Sequence, residues 1–246
     1  MQQVWDTFGE EDIKKIRRYY YSYCTLVDLQ IGRMLKMLKD LNLYDDTLII
    51  FLSDHGDMLG SHKLFAKGVP CFEEAYKLPL FFKFPNNNPS SSVCDGYISG
   101  NDIAPTLLDI LGCRPLGNRI DGHSVKNMLE GKGIGENTHC MAEFFGQRYG
   151  FTQRITWKDN FKYVFNPFDC DELYDLNKDP HELVNQIDNP DYQEKVIELA
   201  TLMQKIIFDT KDDTMIETQY YMTRLAPVGP YKKKDEDEYA IYNKKF

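Results

Sequence analysis

The 246-residue chain has no apolar run of the roughly 20 residues that a membrane-spanning helix needs. Nor does it open on a charged-then-apolar leader, since Met1-Gln2-Gln3-Val4-Trp5 has neither part. That says nothing of the compartment. Internal repeats are absent. The six cysteines (Cys24, Cys71, Cys94, Cys113, Cys140, Cys170) show no C-x-x-C spacing, which excludes a paired-cysteine zinc site and leaves isolated reduced thiols as the simplest reading. There is no basic excess: the formal net charge is −9, which argues against nucleic acid or an anionic membrane as the main partner. A small anionic substrate stays open, because a local lysine or metal can oppose the global field. What is present is 42% hydrophobic and 13% aromatic residues, enough for a core in one large domain or two small ones.

Apolar residues recur at helical spacing from Glu11 to Leu41 (Ile13, Ile16, Tyr20, Cys24, Val27, Ile31, Leu35, Leu38) and predict one long amphipathic helix, with Asn42 as its C-cap. Tyr19, Tyr20, Tyr21 and Tyr23 read most simply as helix packing. Strands are expected at Leu48–Leu52 and Leu78–Phe84, with a short one at Tyr97-Ile98. Asp102 is expected to cap a helix running to Leu111, with Gly112 as the stop. Gly131, Gly133 and Gly135 mark a boundary. The division expected is 1–135, then a small α+β part over 136–210, then a tail over 211–246 with the mixed-charge run Lys232–Glu238. Within the second part, Phe151–Trp157 and Phe161–Phe165 predict a β-hairpin around Lys158-Asp159-Asn160, and Tyr192–Phe208 predicts a helix with Val196, Leu199, Ala200, Met203 and Ile207 on one face.

The most informative stretch begins where the first strand ends. Leu48-Ile49-Ile50-Phe51-Leu52 runs into Ser53-Asp54-His55-Gly56-Asp57, then Met58-Leu59-Gly60-Ser61-His62, then Lys67. α/β proteins build sites at the carboxyl ends of strands. Asp54 offers an oxygen and His55 a nitrogen to a metal, and Lys67 a compact positive charge to an anion. Blander roles exist for each: an Asp at a strand end can cap the next turn, and most lysines are simply exposed.

This ordered run resembles the second half of a sulfatase, of the alkaline-phosphatase-like superfamily, whose pattern is Ser-Asp-His-Gly-Glu/Asp, Leu-Gly-x-His and a following Lys. The similarity extends over about residues 15 to 205, through Asp28 and Ile31-Gly32-Arg33, through Asn101-Asp102-Ile103-Ala104-Pro105-Thr106-Leu107-Leu108-Asp109, and through Glu172-Leu173-Tyr174-Asp175. The family's C-x-P-x-R or S-x-P-x-R motif, which yields the formylglycine nucleophile, is missing. Cys113-Arg114-Pro115-Leu116-Gly117 has Gly where Arg belongs and lies on the wrong side of the metal motif, while Asp45-Asp46 and Asp212-Asp213 do not stand where the family's N-terminal Asp pair would.

The resemblance therefore implies an α/β fold, part of a mixed sheet flanked by helices, followed by a small antiparallel sheet and a C-terminal helix. It implies a sulfuric ester hydrolase in which Asp54 and His55 bind a divalent metal and Lys67 the sulfate. Calcium is the usual ion, with manganese and magnesium as alternatives. His62 either lines the pocket or holds the loop by a hydrogen bond. Asp57 is expected behind the ligands or capping the loop, and Glu73 and Glu74 on a helix surface. His123, His139 and His181 are given no role. The formylglycine would come from the other half, so this chain alone is expected to be inactive. The substrate is a small-molecule or glycan sulfate ester, and the partners are the other half or a second copy paired through an exposed sheet edge. Two rivals remain: a phosphodiesterase or phosphonate monoester hydrolase of the same superfamily, and a non-catalytic remnant or interaction module.

Overall fold

A computed structural model describes residues 7–67, 71–87, 93–114, 120–146, 152–167 and 169–216. The run 232–238 and Pro115–Gly117 lie outside them. The chain packs as two compact units, residues 1–95 with 126–133, and residues 96–125 with 134–246.

The first unit opens with α1, Glu10–Asp40. Glu10, Glu11 and Asp12 crowd its first turn, where carboxylates complement the positive end of the helix dipole. Asn42 ends it as expected. It takes the left-handed conformation at φ 54°, and the Asn42 and Leu43 N–H groups return to the carbonyls of Lys39 (3.0 Å) and Leu38 (2.8 Å). Of the apolar set read from the sequence, Ile13, Ile16, Ile31, Leu35 and Leu38 are half-buried, whereas Tyr20, Cys24 and Val27 are exposed. β1 (Ile49–Leu52) pairs antiparallel with β2 (Leu80–Lys83), placing Ile49 opposite Lys83 and Leu52 opposite Leu80. Lys83 closes the approach to β1: its ammonium donates to the carbonyls of Tyr44, Asp45 and Thr47. A single turn, α2 (Glu73–Tyr76), packs Ala75 against Met58 and Leu64.

The second unit begins with α3, Ile103–Ile110, which Gly112 stops at φ 64°. Asp102 stands at its start but does not cap it. Its buried carboxylate instead accepts from the Ser99 N–H (2.8 Å) and the His123 N–H (3.0 Å), binding two neighbouring loops together. Tyr97-Ile98 forms no strand. Tyr97 exchanges bonds with Asn137 instead, through its N–H and its carbonyl (2.9 Å each), so its backbone is satisfied without a ladder. α4 (Lys126–Leu129) belongs to the first unit.

β3 (His139–Phe144), β4 (Gln153–Lys158), β5 (Phe161–Phe165) and β6 (Glu172–Asp175) form an antiparallel meander in that order. The β4–β5 hairpin turns where expected, on Asp159 (φ 52°) and Asn160 (φ 59°), two successive left-handed residues as a type I′ turn requires. β3 is not legible in the sequence: a half-buried edge strand reading His-Cys-Met-Ala-Glu-Phe has no clean two-residue alternation. α5 (Gln193–Thr210) lays Val196, Leu199, Ala200, Met203 and Ile207 on Tyr163, Phe165 and Leu173. Each fully buried aliphatic or aromatic side chain there contributes about 1.5–3 kcal/mol.

Alternation in β4 does not separate core from solvent, because Gln153 to Trp157 are all buried. The charged member is paired. Arg154 donates through Nε to Asp212 (2.6 Å), through Nη2 to Thr214 (2.6 Å) and through Nη1 to Thr152 and the Gln153 carbonyl (2.8 Å each). This ties α6 (Asp213–Ile216) to the sheet, and Met215 is buried there. Burial alone would push the Asp212 carboxyl up, but the bonds from Arg154 and Thr214 hold it below its ordinary 3.8. A depressed carboxyl stabilises the fold above its unfolded value and loses that contribution as pH falls through its folded value. Asp212→Asn is therefore expected to destabilise most above pH 4, with the gap to wild type closing below 3.8; urea unfolding across pH checks this.

Candidate active site

The site is the turn that follows β1. Ser53 Oγ donates to the His55 carbonyl (2.9 Å), and the Asp54 carboxylate accepts the His55 N–H (3.0 Å), so residues 53–56 wrap tightly on themselves. Gly56 fixes the turn to α2. Its N–H donates to the Ala75 carbonyl (3.0 Å), and a Cβ at this position would lie 1.8 Å from the Glu74 carbonyl oxygen. Only glycine fits so close to backbone. Gly56→Ala is expected to force the two segments apart at a cost of about 3 kcal/mol, read as faster hydrogen exchange at residues 55–58 and 75–77 and a lower unfolding midpoint.

Beyond Gly56 the loop is held by its own bonds, Met58 N–H to Ala66 O (3.0 Å) and Gly60 N–H to Leu64 O (2.7 Å), and by α1, whose Arg17 Nε donates to the Leu59 carbonyl (2.7 Å). Leu59, His62, Lys63 and Ala66 all take positive φ. That is an unusual density of left-handed non-glycine residues, and such strain collects where a loop must aim side chains. Asp57 accepts the Leu59 N–H (2.9 Å), capping the loop.

This folding brings Asp54, His55 and Lys67 together. Lys67 Nζ lies 2.6 Å from His55 Nε2, and the nearer Asp54 oxygen 3.4 Å from the same nitrogen. His55 Nδ1 is 2.9 Å from the Gly56 carbonyl. A carbonyl only accepts, so Nδ1 carries the hydrogen. Nε2 is then the lone pair, and the Lys67 ammonium donates to it. One imidazole nitrogen is thus held by backbone, and the other lies beside a carboxylate and a lysine, a disposition a metal-ligating histidine could use. One oxygen and one nitrogen make part of a divalent-metal shell. Among the described residues no group of three or more His, Cys, Asp or Glu that could hold a metal ion is found.

His62 is not brought into this group. Its ring stacks on Phe72, centroids 3.6 Å apart and 5° from parallel. Glu73 and Glu74 occupy the first turn of α2. Arg17 and the Gly56–Ala75 contact do not stand out in the sequence. Arg17 carries a faint signal as a cation beside the half-buried Ile13 and Ile16, while the close approach at Gly56 involves residues nineteen positions apart and leaves none.

The matching family models are "Sulfatase", over residues 2–113, and "N-sulphoglucosamine sulphohydrolase, C-terminal", over residues 60–209. The arylsulfatase of Clostridium perfringens is 31% identical over 205 residues, which is 80% of this chain and 41% of that protein. A protein solved with its substrate D-glucosamine-2-N,6-O-disulfate superposes with a TM-score of 0.77 at 26% identity, covering 85% of this chain and 44% of its own. The phosphonate monoester hydrolase of Agrobacterium radiobacter does so at 0.74 and 32% identity, covering 83% and 43%. The chain thus spans about two fifths of the length of such relatives.

Proposed function

Because the chain belongs to the sulfatase family, we propose that it forms the metal- and sulfate-binding part of a sulfuric ester hydrolase, with Asp54 and His55 as metal ligands and Lys67 as the sulfate-binding cation. The observation that carries this is the convergence of those three side chains on His55 Nε2. A bound divalent cation would offset the negative charge that builds on the sulfuryl oxygens. Asp54 and His55 would hold it. Lys67 donates to the same Nε2 lone pair that Asp54 and His55 would offer to a cation, so with the site loaded the ammonium would be available to the anionic ester. There it would add a fixed positive charge beside the negative charge that develops on the ester. Calcium favours oxygen donors, and the imidazole suits manganese better. The nucleophile is supplied from outside these 246 residues, so the chain alone is inactive in this reading.

The substrate class supported by the relatives is a sulfated amino sugar, since one matching model is a sulphoglucosamine sulphohydrolase and one similar structure holds a glucosamine disulfate. The phosphonate monoester hydrolase likeness favours a second reading, in which a phosphorus ester occupies the same place. The test joins this chain behind the unmatched N-terminal part of the Clostridium perfringens arylsulfatase. Turnover of glucosamine sulfates and aryl sulfates with divalent metal is expected, and a preference for phenyl phosphonate esters would shift the reading to the second. Turnover of an aryl sulfate by the 246-residue chain alone would overturn the division of labour.

A further inference from the structure

The loop between Asp57 and Lys67 leaves and re-enters the candidate site, and its two ends are held differently. At the His55 end, the Gly56 N–H is bonded to the Ala75 carbonyl (3.0 Å), independently of the loop. The Lys67 end is placed by the loop itself. The Ala66 carbonyl receives the Met58 N–H (3.0 Å) and the Leu64 carbonyl the Gly60 N–H (2.7 Å), so residues 64–66 take their register from residues 58–60. Lys67 follows at once, with its ammonium 2.6 Å from His55 Nε2. Where Lys67 stands therefore depends on where Leu59 stands, in the middle of the run that sets this register.

Leu59 is a left-handed non-glycine residue (φ 47°), a conformation that persists only where the surroundings dictate it. Both of its peptide groups are held by ionic side chains. Its N–H donates to the Asp57 carboxylate (2.9 Å), and its carbonyl accepts from Arg17 Nε (2.7 Å), forty-two residues earlier. Hydrogen bonds with an ionised partner are roughly twice as strong as neutral ones. The start of the chain meets the loop at three points. Phe8 packs edge-on against Phe65, with centroids 5.9 Å apart, and a Cβ on Gly60 would lie 2.9 Å from Ile13 Cγ2 and 3.5 Å from Arg17 Nη2, one helical turn apart on α1. Arg17 is itself exposed, so core packing does not account for its bond to Leu59. We infer that Arg17 is a positioning residue for the candidate site: by holding the Leu59 carbonyl, it sets the loop that delivers Lys67 to His55. It acts through Lys67. The effect on turnover rests on the sulfate-binding role proposed above for Lys67, whereas the effect on geometry does not.

The test compares Arg17→Met and Arg17→Lys in the 246-residue chain. Both replacements keep a long stem and a good helix former in α1, and Lys keeps a donor within reach of the Leu59 carbonyl. Hydrogen exchange in Arg17→Met is expected to quicken about tenfold at the Met58 and Gly60 amides and to stay unchanged at Gly56, a split that general destabilisation would not produce. Nitrogen NMR of the His55 ring reads the contact itself, with Lys67→Ala defining the signal of Nε2 without its donor. Arg17→Met is expected to move Nε2 at least about half of the way to that signal, and Arg17→Lys to stay near wild type. Equal quickening at Gly56, an Nε2 signal unmoved by Arg17→Met, or no difference between Lys67→Ala and wild type overturns the inference. In the joined enzyme, Arg17→Met is expected to lower kcat/KM about tenfold, and to add less than about twofold to the loss from Lys67→Ala, because the two act as one unit. Full additivity would overturn it as well. Unaltered kcat/KM in Lys67→Ala would instead remove the sulfate-binding role, with the exchange and NMR results still deciding that of Arg17.

Discussion

Replacing Glu182 with alanine lowers the unfolding free energy by about 3–5 kcal/mol, among the largest losses a single substitution here can cause. Glu182 lies beyond β6 and is buried. Its carboxylate accepts from the fully buried ammonium of Lys162 on β5, which also sits over the Trp157 ring at 5.5 Å. Taking the carboxylate away removes the acceptor at 2.5 Å from a buried ammonium, and the cost of burying that charge with less compensation, more than the lost attraction, sets the size of the effect. Joint replacement separates the two. Lys162→Met with Glu182→Leu removes both charges at similar volume and is expected to lie within about 1 kcal/mol of wild type, or above it. Guanidinium unfolding followed by fluorescence measures both. A Glu182→Ala loss below about 1 kcal/mol would mean that water reaches Lys162.

In an enzyme made by joining this chain to the arylsulfatase N-terminal part, Lys67→Ala is expected to lower kcat/KM for a sulfate ester by about 10²–10³-fold, the loss typical of removing one preorganised donor at developing negative charge. Lys67→Arg should recover little, because a planar fork does not place its charge where a compact ammonium does. Asp54→Ala is expected to cost at least as much and to differ in kind: it raises the metal concentration needed for half-activity, whereas Lys67→Ala leaves that concentration unchanged or lowers it, since the lysine no longer competes for His55 Nε2. Steady-state assays across a manganese titration distinguish the two behaviours. Unaltered kcat/KM for Lys67→Ala would remove the sulfate-binding role.

Much of the fold is legible in the sequence, and the reason differs by element. α1, its Asn42 stop, the Asp159-Asn160 turn and α5 are set by local rules, periodicity and left-handed caps, that act within a few residues. The candidate site is legible as a motif because Asp54, His55 and Lys67 lie within fourteen residues of one another in the chain. What cannot be read is what depends on distant partners. Asp102 looks like a helix cap, yet its carboxylate is taken by Ser99 and His123. Arg154 and Lys162 look like the solvent side of a hairpin, yet Asp212, fifty-eight residues from Arg154, and Glu182 allow them to be buried. His62 belongs by sequence to the same run as His55, and the left-handed turn around it sends its ring to Phe72.

Whether Asp54 and His55 hold a metal, with Lys67 holding an anion beside it, is tested most directly by a crystal structure of the joined enzyme grown with manganese and sulfate, the ion being located by its anomalous scattering. The expected result is manganese bonded to an Asp54 oxygen and to His55 Nε2, with Lys67 withdrawn from that nitrogen and paired to the sulfate. Manganese bound elsewhere, with Lys67 still donating to His55, would contradict these roles.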